Sequence, residues 1–303
     1  MATPTVQPVP RVLVASDFSR FADEAIRQAG AWARRQQAEL AALHVAPQSL
    51  PMHPLFPERQ QRDVTDLVTL EGRLAQGLSD RIQRLTERSP DDFDVDVDFG
   101  DAYAAIVRRA EAIAATLVVV GSVGATDLER VRLGGVAEKV LRYAHCSVLV
   151  ARPPSGGVVV LAATDLSDPA LPAVQAAARE SEARGARLVV FHDVDVWATL
   201  GNGLGLLGPV PLGPSEQTVE QVRQSVIRIL EGQLDRFGVD GEIRVAAEGN
   251  PAGAIVRAAD DLNADLVVVA TRGRTGLMRL ALGSIAEAVV RRAHCSVLAV
   301  RTE

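Results

Sequence analysis

Apolar residues fall along this chain in two alternating textures. Val12–Ser16, Leu40–Val45 and Leu117–Val120 are short apolar runs bounded by polar residues. Runs of that length predict buried strands. Between the first two, Phe21–Gln37 has apolar positions at helical spacing, and Ser19 stands where an N-cap belongs. Pro47–Pro57 holds four prolines and predicts a loop, after which a polar helix ends near Arg88. Phe93–Phe99 alternates apolar residues with Asp94, Asp96 and Asp98, the period of a strand with one solvated face. Asp101–Ala115 and Gly135–Tyr143 predict two more helices, and Ser147–Ala151 a last strand. The second half repeats this order, with Asn250 and Pro251 suited to the N-cap and first position of its third helix.

The repetition is literal in places. Ala144–Leu149 recurs 149 residues later as Ala293–Leu298, and Leu117–Val120 recurs at the same offset as Leu266–Val269. Ser16-Asp17-Phe18-Ser19 is answered 148 residues later by Thr164-Asp165-Leu166-Ser167. Such a period is too long for a solenoid repeat and marks a duplicated domain. The seam is the Pro/Gly-rich stretch Arg152–Gly157, which predicts domains over 1–152 and 157–303. Five strands separated by helices imply an α/β fold: in each half a doubly wound, Rossmann-like parallel sheet with an order resembling 3-2-1-4-5. That order opens a crevice at the C-terminal ends of strands 1 and 4.

Composition narrows the function classes. A net charge of −6 with 4 % aromatic residues lacks the basic surface and stacking platforms of a nucleic-acid binder. Two cysteines cannot make a disulfide framework. Met1–Pro10 has no basic segment followed by an apolar core, so no signal peptide is read and the cytoplasm is the expected location. Val196–Ser215 carries no charge, yet five glycines and three prolines make it a loop rather than a membrane span. A loop of that length leaving strand 2 is expected to act as a lid or a docking segment.

The chemistry concentrates after strand 4. The second half reads Ala270-Thr271-Arg272-Gly273, nine residues, then Gly283-Ser284; the first reads Gly121-Ser122-Val123-Gly124, nine residues, then Gly134-Gly135. Glycines let a backbone approach an anion closely, and a helix start offers free N–H groups to phosphate. The same residues admit a plainer reading. Ser284-x-x-Glu287 is also a capping box, and Gly273 also suits a simple turn.

On these residues the chain resembles the universal stress protein family in its tandem two-domain form. The resemblance covers nearly all 303 residues. It rests on Asp17 and Asp165 at the ends of the first strands, the long glycine motif, the closing His-Cys-Ser-Val-Leu strands and the duplication. It implies an adenine-nucleotide site, ATP with Mg²⁺ left open, formed at the second half by Ala163, Thr164, Asp165, Asp193, Val269, Ala270, Gly273, Arg274, Gly283, Ser284 and Ile285. In it Asp165 would accept from the ribose, and His192 and Asp193 would offer backbone groups to adenine. The corresponding first-half set is Asp17, Val45, Gly121, Gly124 and Gly134. The resemblance also implies that the closing strands pair the two domains about a pseudo-twofold axis. Cys146 and Cys295 would then lie far apart as thiols.

The halves depart from the motif differently. The first has Gly135 where a hydroxyl is expected, and Asp127 and Glu129 beside Arg130 and Arg132. The second has Ala270 for the first glycine, but Arg272, Arg274 and Arg279 with no acid. Guanidiniums favour a polyphosphate and carboxylates oppose it. The second half is therefore the expected site and the first a degenerate copy. Asp193 stands where the first half has Val45, and a carboxylate facing the base would disturb the pocket. No metal-ligand spacing and no nucleophile-base pair emerges, so no metal or catalytic residue is assigned. The expected role is a nucleotide-dependent regulator of the stress response. Its partners are an adenine nucleotide and an unidentified protein, with no nucleic acid or membrane. Association of whole chains into a homodimer is left open. Two rivals stand beside it: a nucleotide-free interaction module, and a slow ATPase or phosphotransferase needing Mg²⁺ held by an acid.

Overall fold

A computed structural model describes residues 9–47, 57–124, 133–196, 215–272 and 282–301. The chain divides into two compact units, Met1–Pro153 and Pro154–Glu303. The first runs β1 (Arg11–Ser16), α1 (Arg20–Arg35), β2 (Glu39–Ala46), α2 (Pro57–Thr86), β3 (Phe93–Phe99), α3 (Ala102–Ala112), β4 (Leu117–Gly121), α4 (Gly135–Tyr143) and β5 (Ser147–Ala151). Its strands are all parallel and pair in the order β3-β2-β1-β4-β5. The second runs β6 (Val159–Ala163), α5 (Leu171–Arg184), β7 (Arg187–Asp193), α6 (Glu216–Phe237), β8 (Glu242–Ala246), α7 (Pro251–Asp261), β9 (Leu266–Ala270), α8 (Ser284–Arg292) and β10 (Ser296–Val300). It is also parallel, ordered β8-β7-β6-β9-β10. Both units thus have the expected 3-2-1-4-5 order.

That order follows from handedness. Right-handed crossovers that step one way along the sheet put α1 and α2 on one face, and the reversed steps put α3 and α4 on the other. Contacts within the first unit agree, since α1 packs against α2 and α3 against α4. Strands covered on both faces must be apolar throughout. Val12, Leu13, Val14, Val118 and Val119 are fully buried, as are Val160, Leu161, Val267 and Val268 in the second unit. Helix α1 buries Ala22, Ala25, Ile26, Ala29 and Ala33, a stripe at helical spacing whose small side chains bring it close to the sheet. Its start is fixed by the Ser19 hydroxyl, which accepts from Ala22 N at 3.1 Å. Asn250 likewise caps α7, with Pro251 at its first position.

The solvated face expected of β3 is only partly so. Asp98 and Asp96 are paired with Arg108 and Arg109, because α3 lies over that face and brings two guanidiniums to it. Only Asp94 is exposed.

The stretch read from sequence as a linker is bonded into the second unit. Ser155 N donates to Asp265 Oδ1 at 3.1 Å, and Ser155 Oγ donates to Ala264 O at 2.9 Å. Asn263 Nδ2 donates back to Ser155 O at 3.3 Å. Gly157 sits so close to this turn that a Cβ there would lie 1.7 Å from the carbonyl oxygen of Asn263. By contrast a Cβ on Gly232, inside α6, would meet nothing within 4 Å.

The two glycines therefore predict opposite outcomes. Gly232→Ala stabilises by about 0.5–1 kcal/mol through restricted unfolded-state freedom and helix propensity. Gly157→Ala forces a backbone shift and costs more than about 2 kcal/mol. Urea unfolding of the two variants checks both signs; a neutral Gly157→Ala would mean that the 155–157 segment is not docked.

Candidate functional site

The crevice of a doubly wound sheet lies where the chain turns opposite ways from two adjacent strands. In the second unit those strands are β6 and β9. Their C-terminal ends carry Ala163, Thr164 and Asp165 on one side and Val269 and Ala270 on the other. The start of α8 supplies Gly283, Ser284 and Ile285. Seven of these eight cluster by backbone placement alone; Ile285 follows as the second residue of the helix and is 42 % exposed. Gly273 and Arg274 lie outside the described residues, as do residues 197–214 of the expected lid Val196–Ser215. In the first unit Asp17, Gly121 and Gly134 occupy the matching positions at β1, β4 and α4, with Gly124 three residues past β4 and Val45 near the end of β2.

One backbone arrangement ties the fourth strand to the helix in each unit. Thr271 N donates to Val300 O at 3.0 Å, and Gly283 N donates to Thr271 O at 2.9 Å. Ser122 N donates to Ala151 O at 3.2 Å, and Gly134 N to Ser122 O at 2.7 Å. A Cβ on Gly283 would come 3.3 Å from Thr271 O, so the approach favours glycine. This contact also decides the helix start. Gly283 is the N-cap, its carbonyl accepting from Glu287 N at 2.9 Å, and Ser284 is the first helical residue. The capping box anticipated from Ser284 and Glu287 is thus not formed; Glu287 instead accepts from Arg291 at 3.2 Å.

The consequence is a set of donors with no side-chain cap among the described residues. Helices α1, α3, α6 and α7 have side-chain caps from Ser19, Asp101, Ser215 and Asn250. The N-caps of α4 and α8 are glycines with no side-chain hydrogen bond. The first N–H groups of a helix have no partner within it, and they carry the positive end of its dipole. At α8 these donors face the crevice end of the sheet, beside the exposed Ser284.

The first glycine of the motif has a packing role. A Cβ on Gly121 would lie 3.0 Å from the backbone of Phe21 at the start of α1. In the second unit Ala270 takes this position, and a 3-10 turn, Asp168–Ala170, stands before α5. Neither Gly121 nor Ala270 has a positive φ, so the alanine costs no backbone strain.

Asp193 does not face the crevice. It is 7 % exposed, and its Oδ1 accepts from Glu248 N at 2.8 Å in the loop leading to α7. Oδ2 has no partner at hydrogen-bonding geometry. Burial pushes its carboxyl above the ordinary value, while the N–H groups of Asn250 and Gly249 and nearby His192 and Arg257 pull the other way. Its carboxylate is thus engaged with the loop before α7. One residue missed from sequence is the side chain of His192, whose Nδ1 lies 2.8 Å from Thr164 O. Its signal was the matched pair His44 and His192, since His44 Nδ1 lies 2.8 Å from Ser16 O.

The described residues contain no group of three His, Cys, Asp or Glu able to hold a metal, and no helix long and apolar enough to cross a membrane. Cys146 and Cys295 are buried thiols, in no disulfide. Two grooves of the second unit, about 330 Å³ beside β8 and α7 and about 1080 Å³ between the ends of α5 and α6, lie away from the crevice.

Comparison with known proteins gives the following. The model of the universal stress protein family matches twice, over residues 8–152 and 159–301. A universal stress protein of Mycolicibacterium smegmatis is 28 % identical over 312 aligned positions, covering 96 % of each chain. One from Thermus aquaticus is 35 % identical over 146 positions, covering 47 % of this chain and 97 % of its own. The crystal structure of an Archaeoglobus fulgidus universal stress protein superposes with a TM-score of 0.66 at 18 % identity, covering 96 % of this chain and 98 % of that one, which speaks to fold alone.

Asp193 yields a test with a definite sign. Its folded carboxyl titrates above 3.8, so the folded state takes up its proton first as pH falls. The burial penalty is fully present at neutral pH. It fades as pH drops through the raised value towards 3.8 and is gone below that. Asp193→Ala, which leaves Glu248 N without its acceptor, should cost about 1 kcal/mol. The gap between wild type and variant should widen as pH falls through that window and then level off. Urea unfolding at stepped pH reads it; a narrowing gap would mean that the charged form is the favoured one.

Proposed function

The chain belongs to the universal stress protein family, and from that premise we propose that its second domain binds an adenine nucleotide, ATP first, as the input of a stress-response regulator. The observation that carries this reading is the uncapped start of α8. Its orphan N–H groups stand at the switch crevice, and the bond from Gly283 N to Thr271 O fixes them in place. Donors oriented before a ligand arrives suit a phosphate chain. Arg272, Arg274 and Arg279 give the intervening loop three cations and no acid. On the ribose side Asp165 is held in advance, its Oδ1 accepting from Ser167 N at 3.0 Å and from the Ser167 hydroxyl.

The first domain offers the same backbone without the same charge. Gly134 caps α4 as Gly283 caps α8, but Gly135 provides no hydroxyl, and Asp127 and Glu129 offset Arg130 and Arg132. A polyphosphate is therefore expected on the second domain and not the first. Nucleotide occupancy would then act on an unidentified protein partner. No metal and no catalytic step is assigned to the chain's own residues.

Isothermal titration should give one ATP per chain. Gly283→Asp sets a carboxylate among the phosphate donors and should weaken binding at least about a hundredfold, since each 1.4 kcal/mol is tenfold. Gly134→Asp should leave the isotherm unchanged. A damaging Gly134→Asp with a silent Gly283→Asp would place the nucleotide on the first domain. No bound or titratable nucleotide at all would favour the interaction module.

A further inference from the structure

The loop after β6 is held in a conformation that its own residues disfavour. Leu166 has φ +65°, in the left-handed region. For a residue with a branched side chain that costs about 1–2 kcal/mol. The first unit has Phe18 at φ +62° in the same place. The two loops differ in sequence, Thr-Asp-Leu-Ser against Ser-Asp-Phe-Ser, yet share this backbone. Strain persists only where the surroundings over-determine it.

Three bonds between side chain and backbone supply that determination in the second unit. Thr164 Oγ1 accepts from Leu166 N at 3.1 Å, and Asp165 Oδ1 accepts from Ser167 N at 3.0 Å. Both are local to the loop. The third comes from the neighbouring strand. The ladder between β6 and β7 ends at Ala163 and Phe191, with Thr164 N still donating to Phe191 O at 3.0 Å. At that point the imidazole of His192 takes over, 2.8 Å from Thr164 O. A carbonyl only accepts, so Nδ1 carries the hydrogen and the tautomer is fixed. Both backbone groups of Thr164 are thereby anchored on β7, and the next residue is Asp165. In the first unit His44 Nδ1 holds Ser16 O, also at 2.8 Å, before Asp17.

We propose that His192 is a positioning residue of the nucleotide site: by anchoring the carbonyl of Thr164 it aims the carboxylate of Asp165 at the ribose hydroxyls. This rests on the reading of the second domain as a nucleotide site and adds to it the group that sets sugar recognition. His192 itself need not touch the ligand. The donor must sit at the Nδ1 position, since that is the atom bonded to Thr164. Asparagine places an amide nitrogen there, glutamine places one further out, and leucine has none.

The test compares ATP with 2′,3′-dideoxy-ATP by titration calorimetry on the full chain. Hydrogen bonds to a carboxylate make wild type prefer ATP by about tenfold or more. In His192→Leu and His192→Gln that ratio should fall towards one, while His192→Asn should keep it. A role confined to stability would lower the unfolding midpoint and leave the ratio alone. Glutamine retains a polar, foldable side chain if leucine does not fold. An unchanged ratio in the folded variants overturns the proposal. So does equal wild-type affinity for the two nucleotides, which leaves the nucleotide site itself standing. Wild type that binds neither overturns both.

Discussion

The upper end of each unit depends on one peptide, the residue directly after the fourth strand. Thr271 and Ser122 each donate to the last strand and accept from the N-cap glycine of the following helix. The first bond extends the sheet by one rung. The second fixes where the helix begins relative to that sheet. Because the helix start is tied to backbone, it is fixed without a side-chain cap. The glycine, the missing cap and the anion-seeking helix start are thus one constraint seen three ways. Disturbing the peptide would move the helix and the crevice together.

Duplication makes the division between scaffold and chemistry visible within one chain. Much of the backbone scheme is shared by the two units, including a left-handed residue after the first strand and a histidine holding the carbonyl two residues before it. Side chains differ more. Gly121 is required by the close approach of α1, whereas the second unit has Ala270 at that position. Val45 is replaced by Asp193, which is turned away and used to fasten the loop before α7. The hydroxyl of Ser284 has no counterpart at Gly135. The two units thus share a scaffold and diverge in charge.

Much of this was legible in the sequence because it is local. Strands and helices follow from the spacing of apolar residues, and Ser19 and Asn250 cap where their residue types say they should. The strand order followed from handedness rather than from any single residue. The rest depends on contacts between distant segments. Nothing near Gly157 reveals that the carbonyl of Asn263 will lie against it. Ser284 and Glu287 have the letters of a capping box, and only the bond from Gly283 to Thr271 shifts the helix start back by one residue. The orientation of Asp193 was set by a loop more than fifty residues away, whose N–H groups were a better destination than the crevice. The acids of β3 read as solvated because their partners lie on a helix that only the fold brings over them.

These observations bear on why strain sits beside Asp165 at all. A domain is stable by only about 5–15 kcal/mol, so a left-handed leucine is a noticeable cost. It is offset by bonds that hold the loop in one conformation before any ligand is present. A carboxylate already fixed loses little freedom on binding, and the affinity retained is correspondingly larger. The same holds for the helix N–H groups, which are fixed by the sheet. A site assembled from prearranged backbone and one anchored carboxylate needs few specialised side chains. Recognition can then be altered in one copy by exchanging a hydroxyl and a few charges, with the fold untouched. On the proposed reading the side chains decide which copy holds a nucleotide, and the shared backbone supplies the frame.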